Sequence, residues 1–364
     1  MAGHDNESGR AGWCGCCAGG CGPAVTDMVA SDAVERLSSW MTRAYREAGG
    51  IASLPLNELA LPGSHNSASY AITSCSTVPA GDLGDSIRPF LKVPPVSAVI
   101  SRWTKCQRYS VFDQLRHGIR YIDARVQYCP RTRAMSMCHG VCCILLQDCM
   151  RQIRAFLDSY PQEVVIVDFN HVYGADRDDH HDDIVREVVN IIGRDRVARQ
   201  SSCLRPMTPL REFIDSGVQV VVIYDEARAA ERADIWDQSC ILSSWPNTDS
   251  YDRVLAHACE QARRREALKL HVMQLLFTPE LKHIRNGLLR WRSPSSILRF
   301  AKPLRGAPAA LFAKCREDPD LLRNLNVIIV DDCIDEDHTF VEATLAMNAF
   351  KVLNAHASVE HAPG

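Results

Sequence analysis

Leu59-Ala60-Leu61-Pro62-Gly63-Ser64-His65-Asn66-Ser67 changes character halfway along, from apolar to polar. Pro62 removes a backbone donor and Gly63 admits a turn, so a buried strand over residues 54–61 is expected to stop there. His65 is then held just past a strand end, the position at which α/β barrels keep their chemistry. Met135-Ser136-Met137-Cys138-His139-Gly140 repeats the order of short apolar strand, histidine and glycine. One histidine after a strand is more often structural. Two at two strand ends suit proton transfer to and from a single substrate.

Working outward, further strands are expected at residues 119–126, 134–138, 163–171, 217–224, 241–244, 270–277 and 326–332. Helical spacing covers 30–47, 111–118, 144–159, 183–192, 248–267 and 339–353. Residues 163–171 carry the unbroken apolar run of a parallel strand buried on both faces. Eight strands alternating with helices predict an α/β fold, a single TIM (β/α)8 barrel over residues 29–358. Residues 1–28, dominated by Gly, Ala and Cys, are expected to form a disordered tail. Residues 72–104 form a proline-rich insertion. Its apolar 90–103 part, with Lys92, Arg102 and Lys105 near it, is either a helical cover on the barrel or a rim that touches a lipid surface.

A net charge of -3 over 364 residues argues against a nucleic-acid partner, which calls for a basic face. No run reaches the ~18 to 20 apolar residues of a membrane span, and the N-terminus lacks a secretory pattern. A cytoplasmic protein with reduced thiols is expected. Cys14, Cys16, Cys17 and Cys21 in the tail are candidates for S-acylation, which would add a peripheral membrane attachment. Cys138, Cys142, Cys143 and Cys149 crowd around His139 but lack a second ligand pair at finger-like spacing, so zinc is not favoured.

In a barrel, polar residues at the C-terminal strand ends converge on one pocket. Here these are His65, Asn66, Asp123, Arg125, His139, Asn170, His171, Tyr224, Trp245 and Asp331. Asp123 and Arg125 share one strand face by alternation. There is no P-loop, no dinucleotide fingerprint and no nucleophile elbow. A guanidinium fork matches phosphate oxygens, one imidazole can take a proton from a hydroxyl, and the other can protonate the leaving oxygen. Tyr224 and Trp245 are candidates to stack on a ring of the substrate. His171 reads as a packing residue and Asp168 as a pairing one. The acidic, histidine-rich residues 178–183 are expected to form a solvated loop. Asp332 competes with Asp331 as a partner for the base, because the register is open.

Four motifs, residues 61–67, Gly118-Ile119-Arg120-Tyr121-Ile122-Asp123-Ala124-Arg125, Cys138-His139-Gly140 and 168–174, resemble the X domain of phosphatidylinositol-specific phospholipase C. Trp245-Pro246-Asn247-Thr248 places the resemblance nearest the branch whose members carry an X domain without added modules. It spans about residues 54–353. It implies a distorted TIM barrel and cleavage of a phosphoinositide at the glycerol–phosphate bond by attack of the inositol 2-hydroxyl. By that resemblance His65 is the general base, His139 the general acid, and Asp331 the carboxylate that orients the base. Arg125 stands where metal-independent members have arginine and calcium-dependent ones a carboxylate. Asn170 stands where an inositol-contacting or calcium-binding side chain belongs. Asn66, Asp123, Asn170, Tyr224 and Trp245 are then substrate-binding candidates. Asn66 departs from the bacterial pattern, which has Asp. Asn66, Asp123 and Asn170 offer one negative charge beside a cation, too little for Ca²⁺, so no metal or other cofactor is expected. The alternatives are an inactive inositol-phospholipid-binding protein and a metal-dependent glycerophosphodiesterase.

Overall fold

Strand alternation sorts the apolar residues into two layers. Leu61, Tyr121, Ile166, Val221, Ile223, Val272 and Ile329 pack together inside a curled sheet. Their neighbours Ile122, Val165, Val167, Val222 and Ile328 pack outward against helices. The structure, a computed structural model, describes residues 25–47, 50–77, 93–290 and 292–360. Its strands are β1 (Leu61–Ser64), β2 (Tyr121–Cys129), β3 (Ala134–His139), β4 (Val141–Leu145), β5 (Val165–Tyr173), β6 (Val220–Tyr224), β7 (Trp236–Asp237), β8 (Ile241–Ser244), β9 (Leu270–Leu275) and β10 (Val327–Val330). The parallel order is β7-β6-β5-β2-β1-β10-β9-β8, with β7 and β8 unpaired to each other. This is a distorted (β/α)8 barrel, parted at one seam.

Three expectations need correction. The first strand is displaced: Pro62 and Gly63 lie inside it rather than ending it. The missing Pro62 N–H costs nothing in the ladder, because pairing with β2 starts only at Gly63 opposite Tyr121. Gly63 is required by packing, since a Cβ there would stand 2.8 Å from Ile329 Cγ2 and 3.0 Å from Tyr121 Cδ1. Residues 134–138 are not a barrel strand. They pair antiparallel with both β2 and β4, forming a hairpin that rises from the mouth. The eighth barrel strand is instead the two-residue β7. Residues 178–183 open the helix Asp178–Ile192, with His180 stacked on Tyr128 and Asp183 accepting from the Tyr128 hydroxyl at 2.9 Å.

Polar locks close the N-terminal end of the barrel. Arg120 and Glu163 are fully buried and paired at 2.6 Å. Arg120 also donates to Ser38 O at 2.7 Å, and Glu163 accepts from Thr42 N at 2.8 Å. Leaving either charge alone would cost about 3–5 kcal/mol. Asn348, on the last helix, both donates to and accepts from the Ala60 backbone. The opposite end stays open.

Within the proline-rich insertion, Pro94–Thr104 is a helix. Trp103 packs against Phe300 with ring centroids 6.0 Å apart, so this part covers the barrel. Phe90, Leu91 and Lys92, and the tail with Cys14, Cys16, Cys17 and Cys21, lie outside the described residues. No described helix is long and apolar enough to cross a membrane.

Candidate active site

β1 ends where His65 N donates to Val330 O at 3.1 Å, tying His65 to the end of β10. Two residues past the interior Ile329, Asp331 has the same parity and faces the same way. Its Oδ1 accepts from His65 Nδ1 at 2.7 Å. Asp332 points elsewhere and is clamped by Arg108 and Arg305, so Asp331 is the partner of His65. The Asn66 amide donates to His65 Nε2 at 2.7 Å. This network puts the ring proton on Nδ1 and leaves Nε2 as an acceptor. Asn66 itself adopts a left-handed backbone at φ 44°, and its N–H donates to Asp123 Oδ2 at 2.8 Å.

His139 ends β3. Gly140, at φ 69°, turns the chain straight into β4 and leaves the imidazole aimed back at the barrel. Its Nδ1 donates to Thr104 O at 2.7 Å. The His65 and His139 ring centroids are 5.8 Å apart, edge to face. Burial, then the neighbouring His65 and Arg125, push His139 down to about 4, so it is neutral at pH 7 in the free protein.

Asp123 and Arg125 share the interior face of β2. Burial alone would raise Asp123, but Arg125, His65, Asn66 N–H and the Asn170 amide hold it below the usual carboxylate range. Asn170 donates to Asp123 Oδ1 at 2.7 Å. Arg125 Nε lies 3.8 Å from Asp123 Oδ1, beyond hydrogen-bond reach, and is buried without an acceptor. A buried guanidinium N–H lacking a partner is costly and is satisfied by an incoming anion.

One cavity of about 560 Å³ gathers these groups. His65, Asp123, Arg125, His139, Asn170, Trp245 and Asp331 all line it, while Asn66 reaches it through the His65 ring. Tyr224 is the exception. It alternates outward into the helix-facing layer, is fully buried, and bonds His181 Nδ1 at 3.1 Å, so it does not stack on anything in the cavity. Trp245 is 55% exposed at the rim. His171 lines the cavity after all, because a bulge in β5 opposes Ala124 to Phe169 but Arg125 to His171.

The lining also includes Trp103, Thr104, Cys106, Gln238, Ser243 and Gln274. Gln274 and Ser243 have the parity of the interior residues Val272 and Ile241, a signal available in the sequence. Gln238 follows the two-residue β7 and carries no such signal. His65, Cys106 and Asp331 bring possible metal-ligand atoms within 4.8 Å of one another. Burial, then Asp331, raise the Cys106 thiol well above its usual range. A thiol that keeps its proton is a poor ligand. Asp168, buried beneath the cavity, is pushed up to about 7 by burial. It accepts from Tyr121 Oη and Gln238 Nε2, both at 2.5 Å.

Residues 97–245 match the protein family described as PI-PLC X 1. The chain is 30% identical over 242 residues to PI-PLC X domain-containing protein 2 of Homo sapiens, covering 66% of this chain and 78% of that one. It is 27% identical to the variant-surface-glycoprotein phospholipase C of Trypanosoma cruzi, covering 65% of this chain and 66% of that protein. The barrel superimposes on phosphatidylinositol-specific phospholipase C from Listeria monocytogenes with a TM-score of 0.58 at 16% identity, over 85% of this chain and 98% of that one. With its histidines, arginine and parted barrel in these places, the chain belongs to the PI-PLC X domain-containing family.

Proposed function

We propose that the protein is a phosphodiesterase of the phospholipase C type, cleaving an inositol phospholipid between glycerol oxygen and phosphorus. The observation that carries this reading is the facing pair His65 and His139 beside an Arg125 Nε that has no acceptor. His65 Nε2 takes the proton of the inositol 2-hydroxyl, whose oxygen bonds to phosphorus. His139, protonated in the complex, gives its proton to the departing glycerol oxygen. The products are a cyclic inositol phosphate and diacylglycerol, and one proton has passed from His139 to the leaving group while one has arrived at His65. Arg125 holds the non-bridging oxygens, and Asp331 orients His65 and stabilises its charge. The Asn66 amide on Nε2 is displaced by the hydroxyl.

The rim supports a membrane substrate. Leu281 is 84% exposed, Leu289 76% and Leu288 58%, on a helix that begins just after the cavity residues Thr278 and Pro279. Together with Trp245 they offer apolar contact to an interface.

We propose that no calcium takes part. Ca²⁺ calls for 6 to 8 oxygen ligands, several of them carboxylate. Of the two carboxylates lining the cavity, Asp331 is engaged by His65, both oxygens of Asp123 already accept N–H bonds, and Arg125 stands beside Asp123. Excess EGTA should leave the release of water-soluble inositol phosphate from phosphatidylinositol vesicles unchanged. Loss of activity that added calcium restores would overturn the metal-free reading.

The depressed His139 gives a pH test. His139 works in its protonated form, so activity falls as pH rises through its pKa. A bound phosphodiester anion favours the imidazolium and raises that pKa. The falling limb should therefore lie at higher pH in kcat, which reports the complex, than in kcat/KM, which reports the free protein. Coincident limbs would remove the charge coupling between substrate and His139.

A further inference from the structure

The two histidines stand on strands that do not pair. β1 pairs with β2 at Gly63 and Ser64, whereas β3 pairs with the far end of β2, from Val126 to Cys129. Among the described residues no ladder hydrogen bond joins β1 to β3. A four-residue segment bridges the histidines instead. Thr104 O, an end carbonyl of the helix Pro94–Thr104 and so without an intrahelical donor, accepts from His139 Nδ1 at 2.7 Å. Three residues on, the buried Gln107 reaches the base. Both hydrogens of its amide are engaged, one by His65 O at 2.9 Å and one by Val330 O at 3.0 Å. Its Oε1 accepts from Cys333 N at 3.1 Å, which fixes the orientation of the amide. Gln107 thus grips the backbone from which the His65 ring projects and, one residue before it, the backbone that carries Asp331. The segment is itself tied down. Ser69 Oγ accepts from Cys106 N at 3.0 Å and from Gln107 N at 3.2 Å, and Cys106 O accepts from Asp332 N at 2.9 Å.

We infer that residues 104–107 form a strap that sets the spacing of base and acid, with Gln107 as a positioning residue for the His65–Asp331 pair. The inference rests on the phosphodiesterase reading and adds to it a group that does not line the cavity. Gln107 acts through geometry. One amide bound to both strand ends holds two peptide planes, so the imidazole and the carboxylate meet at 2.7 Å. Reacting groups work only near the productive geometry, and a misplacement of about 1 Å lowers the rate by roughly 10²-fold.

Gln107→Met keeps the volume and removes the three side-chain hydrogen bonds. Gln219→Met is the matched control. Gln219 is also buried, and its amide also holds two carbonyls, Leu157 O at 3.2 Å and Pro161 O at 3.0 Å, just before β6 begins. On phosphatidylinositol vesicles Gln107→Met should lose roughly 10²-fold in kcat with KM within about threefold of wild type, whereas Gln219→Met should keep kcat within about threefold. Proton NMR gives a readout independent of turnover. The Nδ1–H resonance that His65→Ala removes should be lost or shifted in Gln107→Met and kept in Gln219→Met. Equal kcat in the two glutamine variants, or an unmoved His65 resonance in Gln107→Met, overturns the inference while leaving the phosphodiesterase reading intact. If Gln107→Met does not fold, Ser69→Ala frees the same strap by a smaller change, with an expected loss of about tenfold in kcat and the same shift of the resonance. If the wild type cleaves no lipid, the phosphodiesterase reading falls. A lost or shifted His65 resonance then still supports the positioning role, and an unmoved one overturns it.

Discussion

Alanine at His65 or at His139 lowers the turnover of phosphatidylinositol vesicles by roughly 10²-fold or more in each case, the range of a general acid or base. The two losses differ in kind. His65 removes the proton of the attacking hydroxyl, so its loss is felt whatever group departs. His139 protonates the departing oxygen, so its loss matters most when that oxygen is a basic alkoxide. An inositol phosphate ester of p-nitrophenol, whose leaving group needs no proton, should restore much of the rate in His139→Ala and little in His65→Ala. Because the two groups act in one step, the double variant should fall little below the worse single one. Equal behaviour of the two variants on both substrates would contradict the assignment of base and acid. Each ring faces the cavity rather than a core cluster, so both variants should fold as the wild type does, which circular dichroism checks directly.

Arg125→Lys should cost roughly 10² to 10³ in kcat, comparable to removing one donor to a developing oxyanion. The substitution keeps the charge and discards the fork. Arg125 Nε is buried with no acceptor, and Asp123 sits 3.8 Å away, near enough to aim the guanidinium without using up its donors. Lysine, a point charge, cannot span two phosphate oxygens in that geometry. Substrate binding should suffer less than turnover, because the charge on those oxygens grows as the fifth bond to phosphorus forms. A lysine variant with wild-type kcat and only a raised KM would make Arg125 a ground-state anchor and no more.

Much of the barrel is written in the chain. The run through residues 164–167 reads as a buried parallel strand because both of its faces are covered, and the histidines announce themselves by standing after apolar strands. Parity puts Asp123 and Arg125 on one strand face, and the structure has them on the interior, whereas the choice between Asp331 and Asp332 rests on the structure, which bonds Asp331 to His65 and Asp332 to two arginines. The same rule, applied to Tyr224, would have sent it outward to the helices, where it lies. What failed was local. Proline and glycine at positions 62 and 63 ordinarily end strands, yet here the neighbouring strand begins only at Gly63, and the glycine is needed so that Ile329 and Tyr121 can close in. Residues 134–138 have the alternation of a strand, which does not distinguish parallel from antiparallel pairing. A two-residue β7 has no period at all, so Gln238 behind it was invisible. The bulge at Asn170 could not be seen either, and it is what brings His171 to the cavity wall.

The claim beneath all of this is that the substrate's own hydroxyl attacks phosphorus between His65 and His139. Phosphorus NMR of phosphatidylinositol vesicles mixed with purified protein tests it most directly. The account predicts that the first new resonance is that of a five-membered cyclic phosphodiester, absent with His65→Ala. A first product that is phosphatidic acid or an acyclic inositol phosphate, or an unchanged lipid signal, would contradict it.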